Sequence, residues 1–218
     1  MYHSKVVTSN QNGVHEQLQR VVLRHINSDY RKPYQAHNLR AFELLQLRLA
    51  QSNYDALMMD SCCGTAMSSI TLAQNNPGAL IVGIDQSYHR LNKQGVENDT
   101  PENCLLLRAN CEDIWRLCIE NHIYFDKHFI LYPNPWPKMV HLQRRWHGHS
   151  VFPYLDRLAK NHTLKSNWKI YLEEFAIAWE LLTQNRFKVD AIDIGEPLTL
   201  FEKKYSQSNQ TIYQLVVS

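Results

Sequence analysis

From residue 55 onward, short apolar runs alternate with stretches of helical periodicity. ALMMD (56–60), IVGID (81–85), LLLRA (105–109), HFILY (128–132) and WKIYL (168–172) read as strands. The gaps at 66–75, 88–97, 111–121, 150–160 and 174–184 are long enough for helices, and Leu39, Phe42, Leu45 and Leu49 recur at helical spacing across 38–50. Strands that alternate with helices predict a mostly parallel sheet covered on both faces. The last two segments, FKVDAIDI and TIYQLVVS, have no long helix between them and are expected to pair antiparallel. Residues 1–33 are polar and basic, with one helical pattern (HEQLQRVVLRHI) and a stop at Pro33, and read as an arm. Residues 34–218 contain no repeat or linker and read as a single domain.

Composition excludes several classes. Hydrophobic residues make up 44% and charged residues 20%, as in an ordinary globular chain. No apolar run approaches the ~20 residues that cross a bilayer. The start, MYHSKVVTSNQNG, lacks the apolar stretch of a signal peptide, so a cytoplasmic protein is expected. Five cysteines without a disulfide spacing read as reduced thiols. The net charge of +2 is small, but Arg20, Arg24, Arg31 and Lys32 cluster at one place and Lys138, Arg144 and Arg145 at another. Such local patches suit phosphate binding even when the total is nearly neutral.

In an open α/β sheet, ligands bind beyond the carboxyl ends of the strands. The first strand ends in DSCCGT, where Gly64 permits close backbone approach. The second ends in Asp85, placed to accept hydrogen bonds from ribose hydroxyls. The third leads to Asn110, which can bond an adenine edge. The fingerprints G-x-G-x-x-G and G-x-x-x-x-G-K-[ST] are absent, which disfavours NAD and ATP. A nucleoside cofactor without phosphates, such as S-adenosylmethionine, fits a looser turn.

DSCCGT, GID (83–85), Asn110–Cys111, PNPWPK (133–138), His141, Arg144–Arg145 and PLTLFE (197–202) form an ordered set. The set resembles the bacterial tRNA (guanine-N7)-methyltransferases over about residues 55 to 203. PNPWPK with His141 and the two arginines is close to that family's PDPWPKxxHxxRR. The resemblance implies a class I, Rossmann-like α/β fold, with a mostly parallel seven-stranded sheet, helices on both faces and an antiparallel C-terminal strand. It implies S-adenosyl-L-methionine as cofactor and guanine in the tRNA variable loop as substrate. By position, Asp60, Asp85, Asn110 and Asn134 match cofactor-contacting places, and Cys62, Gly64 and Cys111 beside them are further cofactor-binding candidates. Lys138, Glu173, Thr199 and Glu202 match places that contact the substrate, and Trp136, His141, Arg144 and Arg145 are further substrate-binding candidates. This chain departs from the pattern where Cys62 replaces a glycine, Asn134 an aspartate, and Leu172–Glu173 the Thr-Asp pair after the fifth strand. YSQSNQ replaces an arginine- and glycine-rich ending.

Guanine N7 has an in-plane lone pair and no proton, so its methylation needs no strong general base. Positioning dominates, and orientation contributes up to ~7–11 kcal/mol. Asn134, Glu173 and Glu202 are the catalytic candidates: the amide orients, and the acids favour the developing positive charge or grip the base. Pro133 and Pro135 restrict the backbone around Asn134. Trp136 can pack beneath the turn or stack on a base, while Lys138, Arg144 and Arg145 are expected on phosphates. Other readings are a methyltransferase for an exocyclic amine and a non-catalytic RNA-binding paralogue. Either a monomer or a homodimer is compatible with the sequence. Cys62–Cys63 with His147 and His149 lacks metal-ligand spacing, so no metal is expected.

Overall fold

A computed structural model describes residues 4, 6–92 and 100–218. The chain divides into two compact units, Lys32–Leu131 with Arg157–Lys160, and Met1–Arg31 with Tyr132–Asp156 and Asn161–Ser218.

In the first of these, α2 (Ala36–Gln51) precedes β1 (Ala56–Ser61), α3 (Met67–Asn75), β2 (Ala79–Asp85), α4 (Tyr88–Leu91), β3 (Cys104–Arg108), α5 (Cys111–Glu120) and β4 (Lys127–Leu131). All four strands are parallel: Asp60 lies opposite Gly83, Gly83 opposite Leu106, and Met59 opposite His128. Every residue of β2 is buried, as a continuous apolar run covered on both faces requires. Gly83 is glycine because α3 packs directly on it: a Cβ there would meet Ser69 Oγ at 2.5 Å and Leu106 Cδ2 at 2.8 Å. The helix expected at 88–97 is present at Tyr88–Leu91, and 93–97 lie outside the described residues.

The other unit holds α1 (Leu18–Ile26), a series of 3₁₀ turns between Met139 and Tyr154, β5 (His162–Ser166), α7 (Lys169–Thr183), β6 (Asp190–Ile192), α8 (Leu200–Ser206) and β7 (Ile212–Val217). The helix expected at 150–160 is a 3₁₀ turn, Phe152–Tyr154, that runs into the short α6, Leu155–Leu158. β7 is antiparallel to both β5 and β6, so the expected C-terminal pair forms. Residues expected to form an arm contribute to this unit's core, since Leu18, Val21 and Val22 of α1 are buried.

One strand expectation is overturned. WKIYL is not a strand; it opens α7, whose buried Tyr171, Leu172, Phe175, Ala178 and Trp179 follow helical spacing. The fifth strand is the preceding HTLKS, with His162, Leu164 and Ser166 buried in alternation. The residues that follow it are therefore Asn167 and Trp168, and Leu172–Glu173 lie inside a helix. The strand order is β3-β2-β1-β4-β5-β7-β6, a seven-stranded, mostly parallel sheet.

Candidate active site

Strand order reverses between β1 and β4, and the carboxyl end of β1 is the topological switch point where open α/β sheets take ligands. The chain leaves β1 through a turn in which Cys62 (φ 60°), Gly64 (φ 62°) and Ala66 (φ 61°) are all left-handed. Gly64 takes that conformation without strain. Cys62 and Ala66 adopt it at a cost of about 1–2 kcal/mol each. Cys62, the residue standing for a glycine, thus keeps the backbone shape that a glycine would give.

Asp85 ties this turn to the next loop. Its Oδ2 accepts the Gly64 N–H at 3.0 Å, its Oδ1 accepts the Ser87 N–H at 2.8 Å, and Arg90 pairs with Oδ1 at 3.2 Å. A carboxylate has about four acceptor sites, so among the described residues one remains. Asp60 is fully buried, and its Oδ2 accepts from Ser68 Oγ at 2.6 Å and Ser69 Oγ at 2.7 Å. Its Oδ1 has no hydrogen-bond partner among the described residues. Burial, acting against those two hydroxyl bonds, raises its pKa to about 6. Asn110 is held by Asn38 of α2: the Asn110 N–H donates to Asn38 Oδ1 at 3.0 Å, and Asn38 Nδ2 donates to Asn110 Oδ1 at 3.2 Å and to Asp113 Oδ2 at 2.6 Å. Sequence reasoning missed Asn38, whose signal is an amide on the apolar face of an amphipathic helix. Asp60 near the end of β1, Asp85 at the end of β2 and Asn110 two residues beyond β3 thus give a set of acceptors and amides suited to a nucleoside bearing a cationic group.

Cys62 Sγ and Cys111 Sγ lie 3.8 Å apart. The Cys62 contact and burial push the Cys111 thiol up, so it stays protonated. Among the described residues no group of three or more metal-binding side chains comes together. An open basin of about 610 Å³, lined by Arg48, Tyr54, Pro77 and Asn103, lies at the amino ends of β1–β3 and not at the switch point.

The PNPWPK turn is built differently. Tyr132 (φ 53°) and Trp136 (φ 43°) are left-handed and bracket Pro133, Asn134 and Pro135. Asn134 is exposed, with its Oδ1 3.4 Å from the Trp136 N–H. Arg144 is exposed and stacks over the Trp136 ring at 4.7 Å, and His141 meets that ring edge-on at 5.4 Å. Partial desolvation, then the cations Arg144, Lys138 and Arg145, hold the His141 pKa below its usual value. Lys138 is exposed.

Arg145 corrects an expectation. It is fully buried and cannot lie on a phosphate. Its guanidinium donates to Glu174 Oε2 at 2.5 Å, to Gln11 Oε1 at 2.9 Å and to the Trp136 carbonyl at 3.1 and 3.2 Å. Glu174, also fully buried, further accepts from His147 Nε2 at 2.9 Å, Gln11 Nε2 at 2.5 Å and the His15 N–H at 2.8 Å. Burial opposes ionisation of Glu174, but bonds and charge from His147 and Arg145 hold its pKa at about 2. The N-terminal segment completes the clamp: Ser9 Oγ donates to the Pro137 carbonyl at 2.5 Å, and Asn10 Oδ1 accepts the Met139 N–H at 3.1 Å. The main chain from Trp136 to Met139 is thus fixed by Arg145 of the same motif and by Ser9 and Asn10, which lie far from it in sequence and which motif spacing could not reveal.

The remaining candidates have local partners. Glu173 pairs with Lys169 at 3.0 Å along α7. Thr199 caps α8 by accepting the Glu202 N–H at 3.0 Å. Glu202 is buried, pairs with Lys165 at 2.9 Å and accepts the Leu198 N–H at 2.6 Å.

A family model described as "Putative methyltransferase" matches residues 55–215. The tRNA (guanine-N(7)-)-methyltransferase of Mycoplasma genitalium is 27% identical over 164 residues, covering 71% of this chain and 69% of that one. Its counterpart in Alkaliphilus oremlandii is 26% identical over 161 residues, 67% of this chain and 73% of that one. Two solved structures share the fold. An antibiotic-related methyltransferase has a TM-score of 0.61 at 15% identity, covering 81% of this chain and 93% of its own. The 16S rRNA methyltransferase KamB has a TM-score of 0.57 at 18% identity, covering 85% and 94%.

Proposed function

The chain belongs to this methyltransferase family, and we propose on that footing that it transfers a methyl group from S-adenosylmethionine to N7 of a guanine in the tRNA variable loop. The observation that carries the reading is the convergence of Asp60, Asp85 and Asn110 at the ends of three adjacent parallel strands, beside a left-handed turn. Asp85 retains an acceptor site for ribose, Asn110 is braced to meet the adenine edge, and Asp60 Oδ1 is an unpartnered acceptor for the donor's ammonium. These residues fit the group. When bound, its sulfonium supplies an electrophilic methyl.

The chain's own work is positioning. N7 carries no proton to remove, so no general base is required. Neutral Asn134 orients the base. Glu173 is engaged by Lys169 within α7 and Glu202, buried, by Lys165, so neither is free to neutralise the developing positive charge, and alignment of the guanine carries the rate. Exposed Lys138 and Arg144 bind RNA phosphates and carry no base readout. Among the described residues no helix is long and apolar enough to cross a membrane. A tRNA substrate puts the reaction in the cytoplasm.

Incubation with labelled S-adenosylmethionine and tRNA lacking 7-methylguanosine tests the reading. Nuclease digestion and mass spectrometry are expected to find label in 7-methylguanosine. Donor binding without transfer, or label on an exocyclic amine, overturns it.

A further inference from the structure

Helix α8 turns apolar side chains outward. Leu200 is 48% exposed and Phe201 49% exposed. The Phe201 ring stacks near-parallel on Tyr205, with centroids 5.9 Å apart and planes at 23°. Tyr132 closes the group at 6.2 Å from Phe201 and 5.5 Å from Tyr205. Phe201 and Tyr205 form a slab with Phe201 presented to solvent, and Tyr132 leans against it at 33° and 49°. Lys203 and Lys204 on the same helix are exposed, whereas its acid, Glu202, is turned inward onto Lys165. The outward charge of α8 is therefore wholly positive. Tyr132 also begins the PNPWPK turn, so the slab is continuous in the chain with the candidate catalytic loop.

We propose that the Phe201–Tyr205 slab is a stacking platform for one unpaired base of the RNA substrate, with Lys203 and Lys204 on the flanking phosphates. This rests on the tRNA reading above and adds a contact to it. An aromatic face accepts any base through its π surface, and neighbouring cations neutralise the backbone that accompanies the base. Two outward side chains, Leu200 and Phe201, are too little apolar surface for an amphipathic helix or a lipid layer, which favours a nucleotide.

The test is steady-state methyl transfer to tRNA by Phe201→Leu, which keeps apolar bulk and removes the ring, and by Phe201→Trp, which keeps a ring. Phe201→Leu is expected to raise KM for tRNA about tenfold with unchanged donor affinity and unchanged thermal unfolding, and Phe201→Trp to stay near wild type. Lys203→Ala with Lys204→Ala is expected to lower the salt slope of tRNA binding by roughly 1–2. An active wild type whose Phe201→Leu variant keeps its KM sinks the platform and leaves the enzymatic reading intact. A wild type that never methylates tRNA sinks the enzymatic reading itself. Retained KM together with binding of Phe201 to anionic vesicles assigns the patch to a membrane surface and also overturns the platform.

Discussion

Asp60 and Glu174 are both carboxylates without solvent exposure, and their surroundings treat them in opposite ways. Asp60 receives two neutral hydroxyls and, among the described residues, leaves one oxygen unpartnered, so burial dominates and its ionised form is disfavoured. Glu174 receives a guanidinium, an imidazole, an amide and a backbone N–H, so its ionised form is favoured despite burial. One is an incomplete site that a cationic ligand can complete. The other is already complete and serves to hold a loop. A buried acid is a candidate for binding when its partners leave it unsatisfied, and a strut when they do not.

Breaking the strut has the largest expected effect. Glu174→Ala leaves Arg145 charged and buried without its partner, and a loss of about 3–5 kcal/mol in urea unfolding is expected. Next comes Asp85→Ala, which removes the acceptor that joins Gly64 to Ser87. Donor affinity by calorimetry is expected to fall about tenfold or more, with tRNA binding retained. Unaltered donor affinity would remove Asp85 from the ribose.

Titration sharpens the contrast. Asp60 has a folded pKa of about 6 against an ordinary 3.8, so its contribution to stability is present below pH 3.8 and lost as pH rises through 6. Glu174, at about 2 against 4.5, contributes above pH 4.5 and loses that contribution as pH falls through 2. Asp60→Asn is therefore expected to flatten the stability profile between pH 4 and 6 and to weaken donor binding, and Glu174→Gln to flatten it only below pH 4.5. Identical profiles for the two variants would erase the distinction. The smallest effect belongs to Arg144→Ala, an exposed cation stacked on Trp136. A reduction of about 1 in the salt slope of tRNA binding is expected, with little change in stability. An unchanged slope would take Arg144 off the phosphate backbone.

The sheet was legible where burial on both faces wrote continuous apolar runs, as in IVGID and HFILY. It was misread at WKIYL because Trp168, Ile170 and Leu172 alternate like a strand, although Tyr171, Phe175 and Trp179 carry the true helical period. The real fifth strand, HTLKS, has a polar sequence whose inward residues include His162 and Ser166, and composition alone hides it. The positions of Asp60 and Asp85 at strand ends could be read because parallel strands written as apolar runs mark their own carboxyl ends. Arg144 and Arg145 look alike in sequence, yet one is solvated and the other is sealed away, because the partners that decide this are Gln11 and Glu174. Contacts across such separations leave no local pattern.

The reach of Gln11 has a consequence during synthesis. Its partner Glu174 lies 163 positions later, so at about 5–20 residues per second the amide emerges from the ribosome roughly 8–33 s before the carboxylate exists. Until then Arg145 and Gln11 lack the carboxylate that both of them meet in the folded chain, and the clamp around Trp136 through Met139 is incomplete. Closure of that clamp therefore waits on translation through residue 174.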